Sequence, residues 1–253
     1  MNVLVFNIKT IPDTQTGQKI FDLEGLDDVS TIKAMKHLRQ QYAGTDFMPL
    51  HLHKIIAISV LYRGIGEDME PQVSVSSLGQ ADSSEAELLG LLIEQIEERT
   101  PTLISWNGSG FDFPVIHYRM LKNKMTAPSF WLKSDNNYLA RYHQRHIDLM
   151  TVLASYNDAA KAPLDHIAAM LGFPKKTTMD DTRILQQYQS GHLKNIHHDC
   201  ETSVLNTYLV YLRFQLMNGE LKNEELQQEY ALLRQLLDNS TEQHLQQFSK
   251  SWG

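Results

Sequence analysis

The chain has 253 residues, 42% hydrophobic and 21% charged, as in an ordinary globular protein, and no apolar run approaches the roughly 20 residues that span a bilayer. Its formal net charge of −7 argues against broad non-specific coating of a nucleic-acid backbone but leaves room for a local basic cleft. Cys200, the only cysteine, excludes an intrachain disulfide; with no basic stretch ahead of the first apolar residues to mark a signal peptide, a cytoplasmic location is expected.

Val3 to Phe6 and Ile8 read as a buried strand that Pro12 stops, since proline has no N–H for a sheet ladder. Asn7 and Lys9 then share one face near the strand's carboxyl end. Taken alone, they mark a strand that has reached water. Asp27 to Gln41 reads as a helix, Ala43 to His53 as an irregular loop, and Ile55 to Tyr62 as a second buried strand turned by Gly64-Ile65-Gly66. Gln72 to Leu78 alternates like a more exposed third strand. Ser83 to Glu87 opens a helix reaching Arg99, with a serine cap and first-turn glutamates. Thr102 to Trp106 is a short strand ending in Asn107-Gly108-Ser109-Gly110, and a helix over Phe113 to Leu121 carries Pro114 in its first turn.

Lys122 to Arg145 is loop-like, with Phe130, Trp131, Tyr138 and Tyr142 among Lys122, Lys124, Lys133, Arg141 and Arg145. Charge and stacking suit it to guiding a single strand, and a solvated loop with aromatic anchors explains it equally well. His146 to Met150 reads as a short strand entering a turn or helix. Helices follow over Pro163 to Gly172, Asp181 to Tyr188, Ile196 to Leu216 and Asn223 to Leu237. The order predicts an α/β fold whose consecutive first strands pair as a meander.

Three stretches then align: Asn7-Ile8-Lys9-Thr10, Ser105 to Asp112, and Asp199-Cys200-Glu201-Thr202-Ser203. With Trp106-Asn107-Gly-x-Gly-Phe111-Asp112-x-Pro114 and Cys200-Glu201-Thr202-x-Val204-Leu205-Asn206-Thr207-Tyr208, the chain resembles the ribonuclease-H-like 3′–5′ exonucleases. The likeness is to the bacterial group akin to the proofreading domain of family-B DNA polymerases. It runs almost end to end. It implies a mixed sheet, an antiparallel β1-β2-β3 meander plus parallel strands, flanked by helices. It also implies one domain over residues 1–253, with 220–253 as a C-terminal helical extension. The activity it implies is phosphodiester cleavage by two Mg²⁺ or Mn²⁺ ions, held by carboxylates about 4 Å apart.

The motif departs from that family at four of five positions. Asn7 stands for an Asp, Lys9 for a Glu, Asp199 for a Tyr and Ser203 for an Asp, while Asp112 is retained. Over positions 7, 9, 112 and 203 the formal charge changes from four negatives to one negative and one positive, a net of zero. Asn and Ser are neutral, weaker ligands, and an ammonium repels the dications, so no metal pair is expected here. Lys9 and Asp112 are expected to form an ion pair in the vacated site. Asp199 with Asp112 offers at most one loosely held ion. His198 lies five residues before Ser203, the spacing of a sister class that uses histidine as base, but position 203 lacks its aspartate.

Thr10, Trp106, Asn107 and Phe111 match family positions that face the 3′-terminal nucleotide; core packing explains Trp106 and Phe111 as well as stacking does. His51, His53 and Asp148 read as structural, and Cys200 as an inert core thiol. The expected function is therefore a nuclease-fold protein that has lost two-metal catalysis and binds at most a single-stranded 3′ end. An active exonuclease using Asp112 and Asp199, and a scaffold with no nucleic-acid role, are the alternatives.

Overall fold

The computed structural model describes residues 1–66, 68–128, 138, 145–174 and 179–253. Phe130, Trp131, Lys133, Arg141 and Tyr142, placed by sequence in the basic aromatic stretch, lie outside the described residues.

The strands are β1 (Val3–Pro12), β2 (His53–Ile65), β3 (Pro71–Ser77), β4 (Thr102–Ser105) and β5 (His146–Asp148). Among the described residues they form one sheet in the order β3-β2-β1-β4-β5. β1 is antiparallel to β2 and β2 to β3, whereas β4 and β5 run parallel to β1. This is the mixed ribonuclease-H-like sheet expected. Long antiparallel strands give way to short parallel ones, so the carboxyl ends of β1 and β4 open together at one edge of the fold.

The two faces of β1 follow its alternation. Leu4, Phe6 and Ile8 pack with Leu88, Leu92, Phe113 and Ile116, from α3 (Glu85–Arg99) and α4 (Asp112–Lys122). Val3 and Val5 pack the opposite way, with Val204, Leu205, Tyr208 and Leu209 of α8 (Leu193–Met217). Asn7 and Lys9 share parity with Val3 and Val5, so they face α8. The register slips between Lys9 and Thr10: Lys9 lies opposite Ala57 and Thr10 opposite Ile55. The expectation that these two side chains merely reach water is corrected. Lys9 is buried and Asn7 half-buried beneath the long helix.

Two helices were not foreseen. α1 (Thr14–Ile20) is short, contains Gly17 and starts on an Asp13 cap. Gly17 lies so close to Met35 of α2 (Asp28–Ala43) that a Cβ there would meet its Sδ at 2.3 Å. α10 (Gln243–Ser251) is too short, with only Leu245 and Phe248 as apolar residues, for a helical period to be read. The elements not yet named are α5 (Leu149–Leu153), α6 (Leu164–Met170), α7 (Asp181–Gln189) and α9 (Asn223–Asp238). The terminal helices share the α8 core through Leu226, Leu233, Leu237, Phe248 and Trp252. A buried network fastens them: Arg63 of β2 holds Glu229 at 2.8 and 2.6 Å, and Tyr208 donates to Glu229 at 2.8 Å. A second network joins α1, α3 and α4, where Arg119 reaches both Asp13 and Glu85 and Lys122 adds a 2.6 Å contact to Asp13.

Candidate functional site

A cleft of about 180 Å³ opens at the carboxyl ends of β1 and β4, where open α/β sheets hold ligands. Asn7, Lys9, Thr10, Trp106, Asn107, Phe111 and Asp112 line it, so one place gathers most of the residues singled out from sequence. Asp199 and Ser203 are outside that lining.

The loop after β4 is built by Asp148. Its carboxylate accepts the Asn107 and Ser109 backbone N–H groups at 2.9 and 3.1 Å and caps α5 through Thr151. Held in this way, Asn107 adopts a φ of 64°, the left-handed region. Gly108 packs onto Ser105: a Cβ at 108 would meet Ser105 Oγ at 2.2 Å. Ser105 in turn bonds His146 Nε2 at 2.7 Å. The structural reading of Asp148 thus has a concrete form, since it shapes the loop that presents Asn107 and Phe111.

Phe111 stands edge-on to His53, with ring centroids 5.2 Å apart, and Phe47 packs beside both. The Thr10 hydroxyl bonds His53 Nδ1 at 2.8 Å, while His53 Nε2 donates to Met48 O at 3.1 Å. Burial holds the His53 pKa below its ordinary value, so the ring is a neutral brace rather than a charge. His51 stands edge-on to Tyr118 instead. Trp106 packs against the α8 core, and its Nε1 is buried without an acceptor.

The expected Lys9–Asp112 pair does not form. Lys9 Nζ instead lies 2.7 Å from Asp199 Oδ2. Asp112 begins α4 on the other face of the sheet, where its Oδ1 accepts the Ile8 N–H at 3.1 Å. Burial pushes the Asp112 carboxyl up to about 7, a rise that the Ile8 hydrogen bond and the nearby Lys9 charge only partly oppose. Asp199 is fixed a second time, by the Met179 N–H at 3.1 Å. Asn7 meets Cys200, whose Sγ lies 3.2 Å from the Asn7 backbone oxygen and 3.5 Å from its Oδ1. Burial pushes that thiol up to about 12, which makes it inert. Ser203 turns its hydroxyl back to the Asp199 carbonyl at 3.0 Å.

Sequence reasoning missed Asp181 at the start of α7, which lines this cleft and also a neighbouring one of about 210 Å³. The second cavity adds Lys36, Asp46, Phe47 and Asp180, and shares Thr10 with the first. Asp181 follows Asp180, which caps α7, so a helix-start pattern conceals its second role.

A pair of divalent ions needs several carboxylate oxygens converging on a small volume. Here Asp112 is buried, with its carboxyl pushed up by desolvation, Asp199 is held by Lys9 and Met179, and Asn7 and Ser203 bring no charge. The Lys9 ammonium occupies the face on which the carboxylates of such a site would converge. These residues do not fit a two-metal centre.

Among curated proteins, none matches the chain. The family model described as a predicted 3′–5′ exonuclease related to the exonuclease domain of PolB matches residues 45–252. The match begins after β1, so Asn7 and Lys9 precede it, while Asp112, Asp199 and Ser203 lie within it. No helix among the described residues is long and apolar enough to cross a membrane. Fold, cleft and match together identify the chain as a member of the predicted 3′–5′ exonuclease family related to the exonuclease domain of PolB.

Proposed function

We propose that the protein is a non-cleaving member of this family that holds a single-stranded 3′ end in the β1–β4 cleft. The observation that carries this reading is the buried Lys9–Asp199 pair. It neutralises the Lys9 ammonium beneath the cleft, at a position where the resemblance would put a metal-binding Glu. The two adjoining cavities are edged by Phe111 and Phe47 for stacking and by Asn107 and Thr10 for hydrogen bonding. Their cations are already paired: Lys9 with Asp199, and Lys36 with Asp46 at 3.1 Å. Asp180 and Asp181 add negative charge. Binding therefore rests on stacking more than on phosphate neutralisation, with modest affinity and a shallow salt dependence.

The test is a fluorescence-anisotropy titration with a 5′-labelled single strand in Mn²⁺, followed by a denaturing gel of the same samples. Saturable binding that weakens with Phe111→Ala, with the strand left at full length, supports the reading. A flat titration would favour a scaffold with no nucleic-acid role. A ladder shortened from the 3′ end and abolished by Asp112→Ala would establish an active exonuclease with an altered site.

A further inference from the structure

A group of metal-ligating side chains lies outside the cleft, where α8 meets the start of α10. We propose that His198, Glu242 and His244 form a binding site for one transition-metal dication of the zinc class, which clasps the C-terminal helix to α8. This inference is independent of whether the cleft binds or cuts nucleic acid.

His198 projects from α8, Glu242 is the residue before α10, and His244 lies in its first turn. His198 Nε2 is 3.8 Å and His244 Nδ1 is 3.9 Å from Glu242 Oε2, and all three atoms lie within 4.8 Å of one another. Zinc bonds to histidine nitrogen and carboxylate oxygen are about 2.0–2.2 Å, so a slight contraction of the group lets one ion bond all three. Both nitrogens are buried and have no hydrogen-bond partner among the described residues. Buried polar atoms ordinarily have one, and two orphans facing one carboxylate call for an explanation.

The outer partners strengthen the case. His244 Nε2 is 2.5 Å from Glu201 Oε2, and donation there leaves Nδ1 as the bare lone pair on the Glu242 side. Glu201 accepts from Ser77 at 2.7 Å, and Ser77 bonds Ser59 at 2.8 Å, which anchors the chain of partners in the sheet. A carboxylate behind a histidine is the arrangement that fixes tautomer and ring direction in metal sites. The His198 and His244 rings stack with centroids 3.7 Å apart, so binding one ion in both ring planes requires the rings to rotate apart. Lys194 Nζ, 3.2 Å from Glu242 Oε2 and largely exposed, is the group the ion displaces. Two imidazoles and one carboxylate suit zinc better than magnesium, and leave a fourth position for water.

The full-length protein, stripped with a chelator, is titrated calorimetrically with zinc chloride, and cobalt chloride is followed by visible absorption. Expected are one equivalent of zinc, intense bands from four-coordinate cobalt, and a melting temperature raised by zinc. His198→Ala and Glu242→Gln abolish these responses, Glu201→Gln weakens zinc about 10- to 100-fold, and Asp112→Asn leaves them unchanged. No zinc uptake by the wild-type chain would overturn the site. Uptake that survives both His198→Ala and Glu242→Gln, or is lost in Asp112→Asn, would place the ion elsewhere and overturn it too. Should a variant fail to fold, the wild-type cobalt spectrum still decides, because weak six-coordinate bands contradict the four-coordinate site proposed.

Discussion

Lys9 Nζ and Asp199 Oδ2 lie 2.7 Å apart with both side chains buried, so a charge pair joins the central strand to the long helix directly beneath the cleft. On the resemblance read from the sequence, a Glu at 9 and a Tyr at 199 are expected here. The observed pair reverses the strand's charge and supplies the helix with its complement.

Removing one partner strands a charge in a site that has lost its water. Asp199→Ala is expected to destabilise the fold by about 3–5 kcal/mol, while Lys9→Met combined with Asp199→Leu stays near wild-type stability. Urea denaturation of the single and double variants measures both. A single-variant loss below about 1 kcal/mol would mean the pair is solvated and worth little.

The partner of Lys9 shows where sequence reading reached its limit. Period two put Asn7 and Lys9 on one face, and the family resemblance put Asp112 and Asp199 near the same strand end. Which carboxylate meets the lysine depends on the face of the sheet each helix covers, and only packing decides that: α4 goes with Leu4, Phe6 and Ile8, α8 with Val3 and Val5. The run β2-β3-α3-β4-α4 and the cap of α3 were legible because propensity, capping and periodicity agreed there. α1 and α10 were not, since each is shorter than the window over which an apolar period can be read. The His198–Glu242–His244 group was equally hidden, because its members lie on two elements far apart in sequence.

Asp112 makes stability fall with rising pH. Its folded pKa, about 7, lies above the ordinary carboxylate value near 3.8. Its contribution is therefore complete below the unfolded pKa and is lost as pH rises through the folded one. Asp112→Asn is expected to flatten the decline between pH 4 and 7 and to stabilise the protein by on the order of 4 kcal/mol at pH 8. Asp13 acts oppositely: Lys122, Thr16 and Arg119 hold it below its usual range against the effect of burial, so its contribution is lost in acid. Denaturation midpoints of wild type and Asp112→Asn at pH 5 and 8 check the sign. An unchanged difference between the two proteins at those pH values would contradict it.

Gly108→Ala drives a methyl group into Ser105, which cannot retreat without leaving His146. A loss of about 1–3 kcal/mol is expected, with binding of a 3′ end weakened as Asn107 and Phe111 shift. Thermal melts and the anisotropy titration measure the two effects. A stable variant with unaltered binding would show that the loop tolerates a side chain and that its tight packing is incidental.

The central claim is that an intact nuclease scaffold has lost its chemistry at four positions. The most direct measurement compares wild type with the fourfold variant Asn7→Asp, Lys9→Glu, Asp199→Tyr and Ser203→Asp, each incubated with Mn²⁺ and a 5′-labelled single strand. The account predicts full-length strand with wild type and a ladder shortened from the 3′ end with the variant. Wild-type cleavage abolished by Asp112→Ala, or a fourfold variant that folds and still leaves the strand whole, would contradict it.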